Sequence, residues 1–78
     1  MSYMFEVYYR PPVDPVREAA LAERVSKMGG RLDCREDPTE HTGACLTFEF
    51  DDWDRAEAAA NSLREQGEYV EGPGDYGP

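Results

Sequence analysis

The sequence is short of positive charge. Eight lysines and arginines stand against 17 aspartates and glutamates, which gives the 78-residue chain a formal net charge of −9. Nucleic-acid binding depends on basic side chains that neutralise phosphates, and anionic lipid surfaces attract the same basic groups. The composition therefore argues against nucleic acid and membranes as partners. A basic protein, a cation or a polar small molecule remains allowed, and an acidic surface that only keeps the protein soluble is the simpler alternative.

Long apolar runs and cysteine are also scarce. No stretch approaches the roughly 20 apolar residues that a membrane-spanning helix needs. Glu6, Arg10, Asp14 and three prolines interrupt the first fifteen residues, so we expect no secretory signal there. Two cysteines, Cys34 and Cys45, are too few for the disulfide scaffold of a small secreted domain. These absences predict a cytoplasmic protein.

Alternation of apolar with polar residues predicts strands in four places. In the first strand Tyr3, Phe5 and Val7 share the more apolar face and should point into the core. In the second strand the same alternation predicts that Leu32 and Cys34 point inward. The predicted strands are residues 3 to 9, 31 to 35, 44 to 50 and 68 to 71.

Two amphipathic segments between the strands predict helices. Asp14 before Pro15 is typical of a helix start, and Asp52 offers the same kind of cap to the second helix. Gly29 and Gly67 follow the two segments and predict their ends. The predicted apolar stripe of the first helix contains Val16, Leu21, Val25 and Met28. The stripe of the second helix contains Trp53, Ala56, Ala60 and Leu63.

The order of these elements predicts a fold. Each half is strand-helix-strand, and right-handed crossovers place the strands in the order 4-1-3-2, with both helices on one face of an antiparallel sheet. This α+β arrangement, βαββαβ, resembles the ferredoxin-like fold, which hosts many unrelated functions. We expect one domain over residues 1 to 71. Residues 72 to 78 are rich in glycine and proline and are interpreted as a C-terminal tail without regular structure, either frayed or docked against the domain.

The acidity lies in the second half of the chain. Residues 1 to 35 carry five acidic and six basic side chains, whereas residues 36 to 78 carry twelve acidic and two basic ones. In the predicted fold the two halves occupy opposite edges of the sheet, so the domain should be electrically polarised. A head-to-tail contact between copies or an oriented approach to a basic partner follows as a hypothesis, although a solvated acidic helix face is the simpler interpretation.

His41 is the single histidine, and it lies in the predicted loop over residues 37 to 43. It is a candidate ligand or proton-transfer group, although an exposed loop residue is the simpler interpretation. Cys34, His41 and Cys45 are too few and too widely spaced for structural zinc, so we predict no metal site. The predicted alternation points Cys34 inward and Cys45 outward, which also argues against a disulfide.

The sheet face opposite the helices is the most informative predicted surface. RNA-recognition modules stack bases on aromatic side chains of this face. Here Tyr8 lacks a second aromatic on the third strand, and the face is not basic, so a second copy or a polar protein fits better. The predicted interaction surface contains Glu6, Tyr8, Arg10, Cys45, Thr47, Glu49 and Tyr69.

Two functions follow as hypotheses. The first is a small non-enzymatic interaction or regulatory module that associates with itself, or with a basic protein, through the open sheet face. The alternative is a small-molecule-binding or catalytic dimer with a pocket near His41 and Tyr8. The sequence contains no set of residues that predicts a catalytic reaction or a cofactor.

Overall fold

Two helices cover one face of a four-stranded antiparallel sheet, and the other face is open. The strand order β2-β3-β1-β4 is the predicted order read from the other edge, so the ferredoxin-like arrangement is confirmed. The computed structural model describes residues 1 to 76. Its elements are β1 (Ser2–Tyr9), α1 (Pro15–Lys27), β2 (Arg31–Glu36), β3 (Ala44–Phe50), α2 (Trp53–Glu65) and β4 (Tyr69–Tyr76).

Both helices begin at an aspartate cap, as predicted. The Asp14 side chain accepts a hydrogen bond from the backbone N–H of Arg17 at 3.0 Å, and Asp52 accepts from Arg55 at 2.9 Å. Each aspartate thereby satisfies a backbone donor that has no partner within its helix. Within the described part of the chain, no helix is long and apolar enough to span a membrane.

The core lies between the helices and the sheet, and its helical contributions differ from the predicted stripes at three residues: Val16 and Trp53 are exposed, and Ala59 is buried although the predicted stripe does not contain it. Val16 is 80% exposed, because it lies five residues before Leu21 and so about 140° around the helix axis from it. Trp53 is 39% exposed and makes an edge-to-face contact with Tyr3. The buried cluster contains Phe5, Val7, Leu21, Val25, Leu46, Phe48, Phe50, Ala56, Ala59, Ala60, Leu63 and Val70.

A bulge at Asp33 interrupts the second strand. Leu32 pairs with Phe48, but the next pair along β3 is Cys34 with Thr47, so β2 carries one extra residue. The extra residue reverses the side to which the following side chains point. Cys34 therefore shares the open face with Thr47 and is exposed, and the prediction that it points into the core is wrong. Leu32 stays on the helix side but is 46% exposed.

The fourth strand is longer than predicted. Beyond the predicted end at residue 71, Gly74 still pairs with Met4 of β1. Residues 72 to 76 of the predicted tail are therefore part of the sheet, whereas residues 77 and 78 lie outside the described residues. Gly72 has a φ of 103°, and a Cβ there would stand 3.0 Å from the Met4 carbonyl oxygen, so only glycine suits this bulge.

The outer edge of β4 is covered by a side chain of α2. The Arg64 guanidinium donates hydrogen bonds to the carbonyl oxygens of Val70 at 3.1 Å and Gly72 at 2.6 Å. These two carbonyls are two residues apart and point to the side of β4 away from β1. At the opposite edge of the sheet, every residue of β2 is exposed.

Candidate interaction surface

The side chains of the open face stand in three rows set by the strand register. Residues paired directly across antiparallel strands point to the same face. The tyrosine row is Tyr69-Tyr8-Cys45-Glu36, the glutamate row is Glu71-Glu6-Thr47-Cys34, and the third row is Gly74-Met4-Glu49-Arg31. Six of the seven residues of the predicted interaction surface lie in these rows, and Arg10 follows the end of β1.

Two tyrosines of the tyrosine row each donate a hydrogen bond to a glutamate of the glutamate row. The Tyr8 hydroxyl lies 3.0 Å from Oε2 of Glu6, and the Tyr69 hydroxyl lies 3.2 Å from Oε1 of Glu71. The two rings meet edge to face with centroids 6.1 Å apart. The hydrogen bond to Glu6, with burial and the nearby Cys45, raises the pKa of Tyr8 well above its usual range. Tyr8 is therefore a neutral donor at physiological pH.

Glu6 and Glu71 stand directly opposite each other on β1 and β4. Within residues 1 to 76, neither carboxylate lies within ion-pair distance of a basic side chain, whereas Glu49 of the third row pairs with Arg31 at 2.8 Å. Like charges placed directly opposite each other destabilise an antiparallel strand pair. The glutamate row thus holds two uncompensated negative charges, at the edge of the sheet where the acidic chain segments lie.

A shallow hollow of about 240 Å³ lies at the end of the tyrosine row. Arg10 is exposed there and makes no hydrogen bond or ion pair with another described side chain. A Cβ at Gly43 would clash with the Tyr9 carbonyl oxygen, so glycine is what allows the loop to approach the end of β1. The lining residues are Tyr8, Tyr9, Arg10, Gly43 and Tyr69.

His41 does not line this hollow, and the alternative hypothesis placed it near Tyr8 only in the pocket of a dimer. It is exposed, and its backbone N–H donates to Oγ1 of Thr39 at 3.2 Å. The Thr39 hydroxyl also lies 2.8 Å from that of Thr42, so the threonines close this loop. Among the described residues, no three histidine, cysteine or acidic side chains come together as a metal-binding group.

The two cysteines are free thiols on the same face of the sheet. The predicted divergence of their side chains is wrong, because the bulge at Asp33 reverses Cys34. They are diagonal neighbours on adjacent strands, a relation that holds Cα atoms about 7–8 Å apart, beyond the usual reach of a disulfide. Cys45 is only 6% exposed, and burial raises the pKa of its thiol, which keeps it protonated.

Sequence reasoning missed a polar network on the helix side of the sheet. The Tyr9 hydroxyl donates to Glu18 of α1 and accepts from the backbone N–H of Asp14 at 3.0 Å. Arg35 of β2 donates to both oxygens of Glu18, at 2.6 and 3.2 Å. The regular alternation of β2 placed Arg35 on the open face, and nothing in the sequence indicated the bulge that moves it. The network joins β1, α1 and β2.

Comparisons of the chain with protein-family models, with curated proteins and with solved structures find no match. The fold and the surface together define an α+β ferredoxin-like domain whose open sheet face carries tyrosines and uncompensated carboxylates.

Proposed function

We propose that this domain is a non-enzymatic interaction module that binds a basic protein surface through its open sheet face. The observation that carries the proposal is the charge of that face. Its three rows contain four glutamates and one arginine, and no element among residues 1 to 76 covers them. A basic partner would find complementary charge there, and Tyr69, 62% exposed, offers aromatic surface of the kind enriched at interfaces.

Charge also favours a basic partner over a second copy. A face-to-face dimer with twofold symmetry would bring the same patch against itself. The glutamates of the two copies would then oppose each other. Arg31, the one basic side chain in the three rows, already pairs with Glu49 and Asp51 of its own chain. Self-association through this face would therefore lack free positive charge at its centre.

Small-molecule binding is the second candidate, and the hollow beside Tyr8 and Arg10 favours it. Ligand pockets usually enclose about 300–1,000 Å³, so this hollow of about 240 Å³ is small as well as shallow. Its lining contains no histidine, carboxylate or cysteine to act as a base or nucleophile, which gives a catalytic version no support. We place the module in the cytoplasm, a proposal supported by its two free thiols.

A charge placed at the centre of the open face tests the proposed function. Thr47→Arg introduces a bulky cation in the glutamate row, and Ala58→Arg makes the same charge change on the exposed side of α2. The probe is a short serine-arginine repeat peptide at physiological salt, followed by amide NMR shifts. We expect the shifts to map to the three rows, and Thr47→Arg to weaken binding about tenfold more than Ala58→Arg.

Two results would contradict this proposal. One is a set of shifts that maps to the helices, and the other is equal weakening by the two variants. Sedimentation of the free protein tests the second copy directly, since concentration-dependent association that Thr47→Arg abolishes would assign the face to a homodimer.

A further inference from the structure

Glu6, Glu71, Tyr8 and Tyr69 form one compact group where β1 meets β4. The module as proposed accounts for the general charge of the face but leaves these two opposed carboxylates unexplained. Building on that proposed function, we propose that this group is the seat for an arginine side chain of the basic partner. The group supplies both features that guanidinium recognition requires, namely paired carboxylate acceptors and aromatic rings.

The carboxylates are placed for a planar donor. Residues directly opposite on antiparallel strands have Cβ atoms about 4.5–5.5 Å apart, so Glu6 and Glu71 present their acceptors side by side. A guanidinium carries five N–H donors in a fixed plane and can reach two carboxylates at once. Each carboxylate has about four acceptor positions, and its tyrosine hydrogen bond occupies only one of them. Acceptors therefore remain for the incoming cation.

The tyrosines serve the same site in two ways. Each hydroxyl holds a carboxylate at 3.0 or 3.2 Å, which fixes the acceptors before any ligand arrives. The two rings contact each other edge to face, and Tyr69, which is 62% exposed, offers ring surface that can cover a guanidinium face. Cations attract aromatic faces within about 6 Å of the ring centre, and arginine does so more often than lysine.

The charge arrangement selects the occupant. Two opposed carboxylates repel each other in the free domain, and a cation between them removes that repulsion. Divalent metals of the oxygen-binding class take six or more ligands, and the described residues hold no group of even three metal-ligating side chains. Lysine would supply a single point charge without the planar fork. An arginine uses the carboxylates and the rings together.

A titration with small probes tests the seat. N-acetylarginine amide, N-acetyllysine amide and the neutral analogue N-acetylcitrulline amide are added to the full chain and followed by amide NMR shifts. We expect saturable shifts at residues 6, 8, 69 and 71 with the arginine probe, a dissociation constant on the order of millimolar, and no saturable shifts with citrulline. Equal shifts from citrulline, or from lysine, would overturn the arginine seat.

Matched variants distinguish arginine binding at this site from attraction by the net charge of the domain. Glu71→Gln removes one seat carboxylate, and Glu57→Gln removes an exposed carboxylate of α2 with the same change in net charge. We expect Glu71→Gln to weaken arginine binding about fivefold or more, Tyr69→Leu to weaken it about threefold, and Glu57→Gln to leave it unchanged. Because Glu71→Gln relieves repulsion, its melting temperature should not fall, so lost binding would not reflect unfolding.

The serine-arginine peptide distinguishes the two proposals. Peptide binding that maps to the open face and is equally strong with Glu71→Gln would overturn the arginine seat while the interaction module stands. A peptide that causes no shifts on the open face would overturn both.

Discussion

Arg35 of β2 donates two hydrogen bonds to the Glu18 carboxylate of α1, from Nε to Oε1 at 2.6 Å and from Nη2 to Oε2 at 3.2 Å. The same carboxylate accepts from the Tyr9 hydroxyl. Since no residue of β2 is buried, this edge strand has little apolar packing to hold it. The contact between Arg35 and Glu18 therefore holds β2 against α1, in addition to the backbone pairing of β2 with β3.

Removing the charge of Glu18 should lower the free energy of unfolding at neutral pH and make that free energy depend less on pH in the acid range. Hydrogen bonding from Arg35 holds the pKa of Glu18 below its usual range. A lowered folded-state pKa means that the stabilisation is complete above the unfolded pKa of about 4.3 and is lost as the pH falls through the folded value. We expect Glu18→Gln to lower the free energy of unfolding by about 1–3 kcal/mol at pH 7, measured by urea denaturation.

The control for that experiment is Glu23→Gln, whose carboxylate forms an exposed pair with Lys27 on the same helix. Exposed pairs of this kind contribute about 0.3–0.5 kcal/mol. If Glu18→Gln and Glu23→Gln have the same free energy of unfolding at pH 7 and the same loss of it in acid, the Arg35 contact does not stabilise β2.

Each helix should depend on its capping aspartate. Asp14→Ala and Asp52→Ala each remove the acceptor of a backbone N–H, at 3.0 and 2.9 Å respectively. We expect each substitution to lower the free energy of unfolding by about 1 kcal/mol in thermal or urea denaturation. Glu57→Ala, an exposed acidic residue within α2, should change it by less than about 0.5 kcal/mol. Equal effects of the three substitutions would show that the caps contribute nothing specific.

Arg64 should matter for self-association as well as for stability. Arg64→Ala exposes the outward carbonyls of Val70 and Gly72, which unpaired edge strands use to add further strands. We expect a loss of about 1 kcal/mol in stability and a rise in sedimentation coefficient with concentration. Glu65→Ala, the neighbouring exposed position, should show neither change. An Arg64→Ala variant that stays monomeric at high concentration would count against edge protection.

The two thiols should differ sharply in reactivity. Cys34 is exposed, whereas Cys45 is buried and its pKa is raised by burial, so it forms little of the reactive thiolate. A colourimetric thiol reagent at pH 8 should modify Cys34 rapidly and Cys45 slowly, with Cys45 becoming fast in denaturing urea. Cys34→Ser leaves Cys45 alone for measurement, and rapid labelling of that variant under native conditions would contradict the burial described here.

The sequence was sufficient for the fold because its local features agree with one another. Asp14 and Asp52 mark the helix starts, and uninterrupted alternation in β1 and β3 gives their inner and outer faces. These two strands pair without a bulge, so the side chains of Glu6, Tyr8, Cys45, Thr47 and Glu49 fall on one face as the alternation predicts. Because successive side chains of a strand point to opposite faces, the alternation alone assigns the faces of strands that pair without a bulge.

The remaining differences between the predicted and the observed structure have local causes that no residue pattern indicated. Nothing distinguishes Asp33 as a bulged residue, yet that single position moves Cys34 and Arg35 to opposite sides from those predicted. The glycines and prolines after Glu71 suggested an end to the sheet, but Gly72 instead accommodates a bulge and lets β4 continue.

The guanidinium of Arg64 makes the two edges of the sheet unequal, and this inequality limits how copies of the domain can join. Strand pairing between two copies through β2 would leave β4, with its outward carbonyls already occupied, at both ends of the joined sheet. At neither end could another strand use those two carbonyls while Arg64 holds them. Arg64 therefore disfavours growth of the joined sheet beyond a pair.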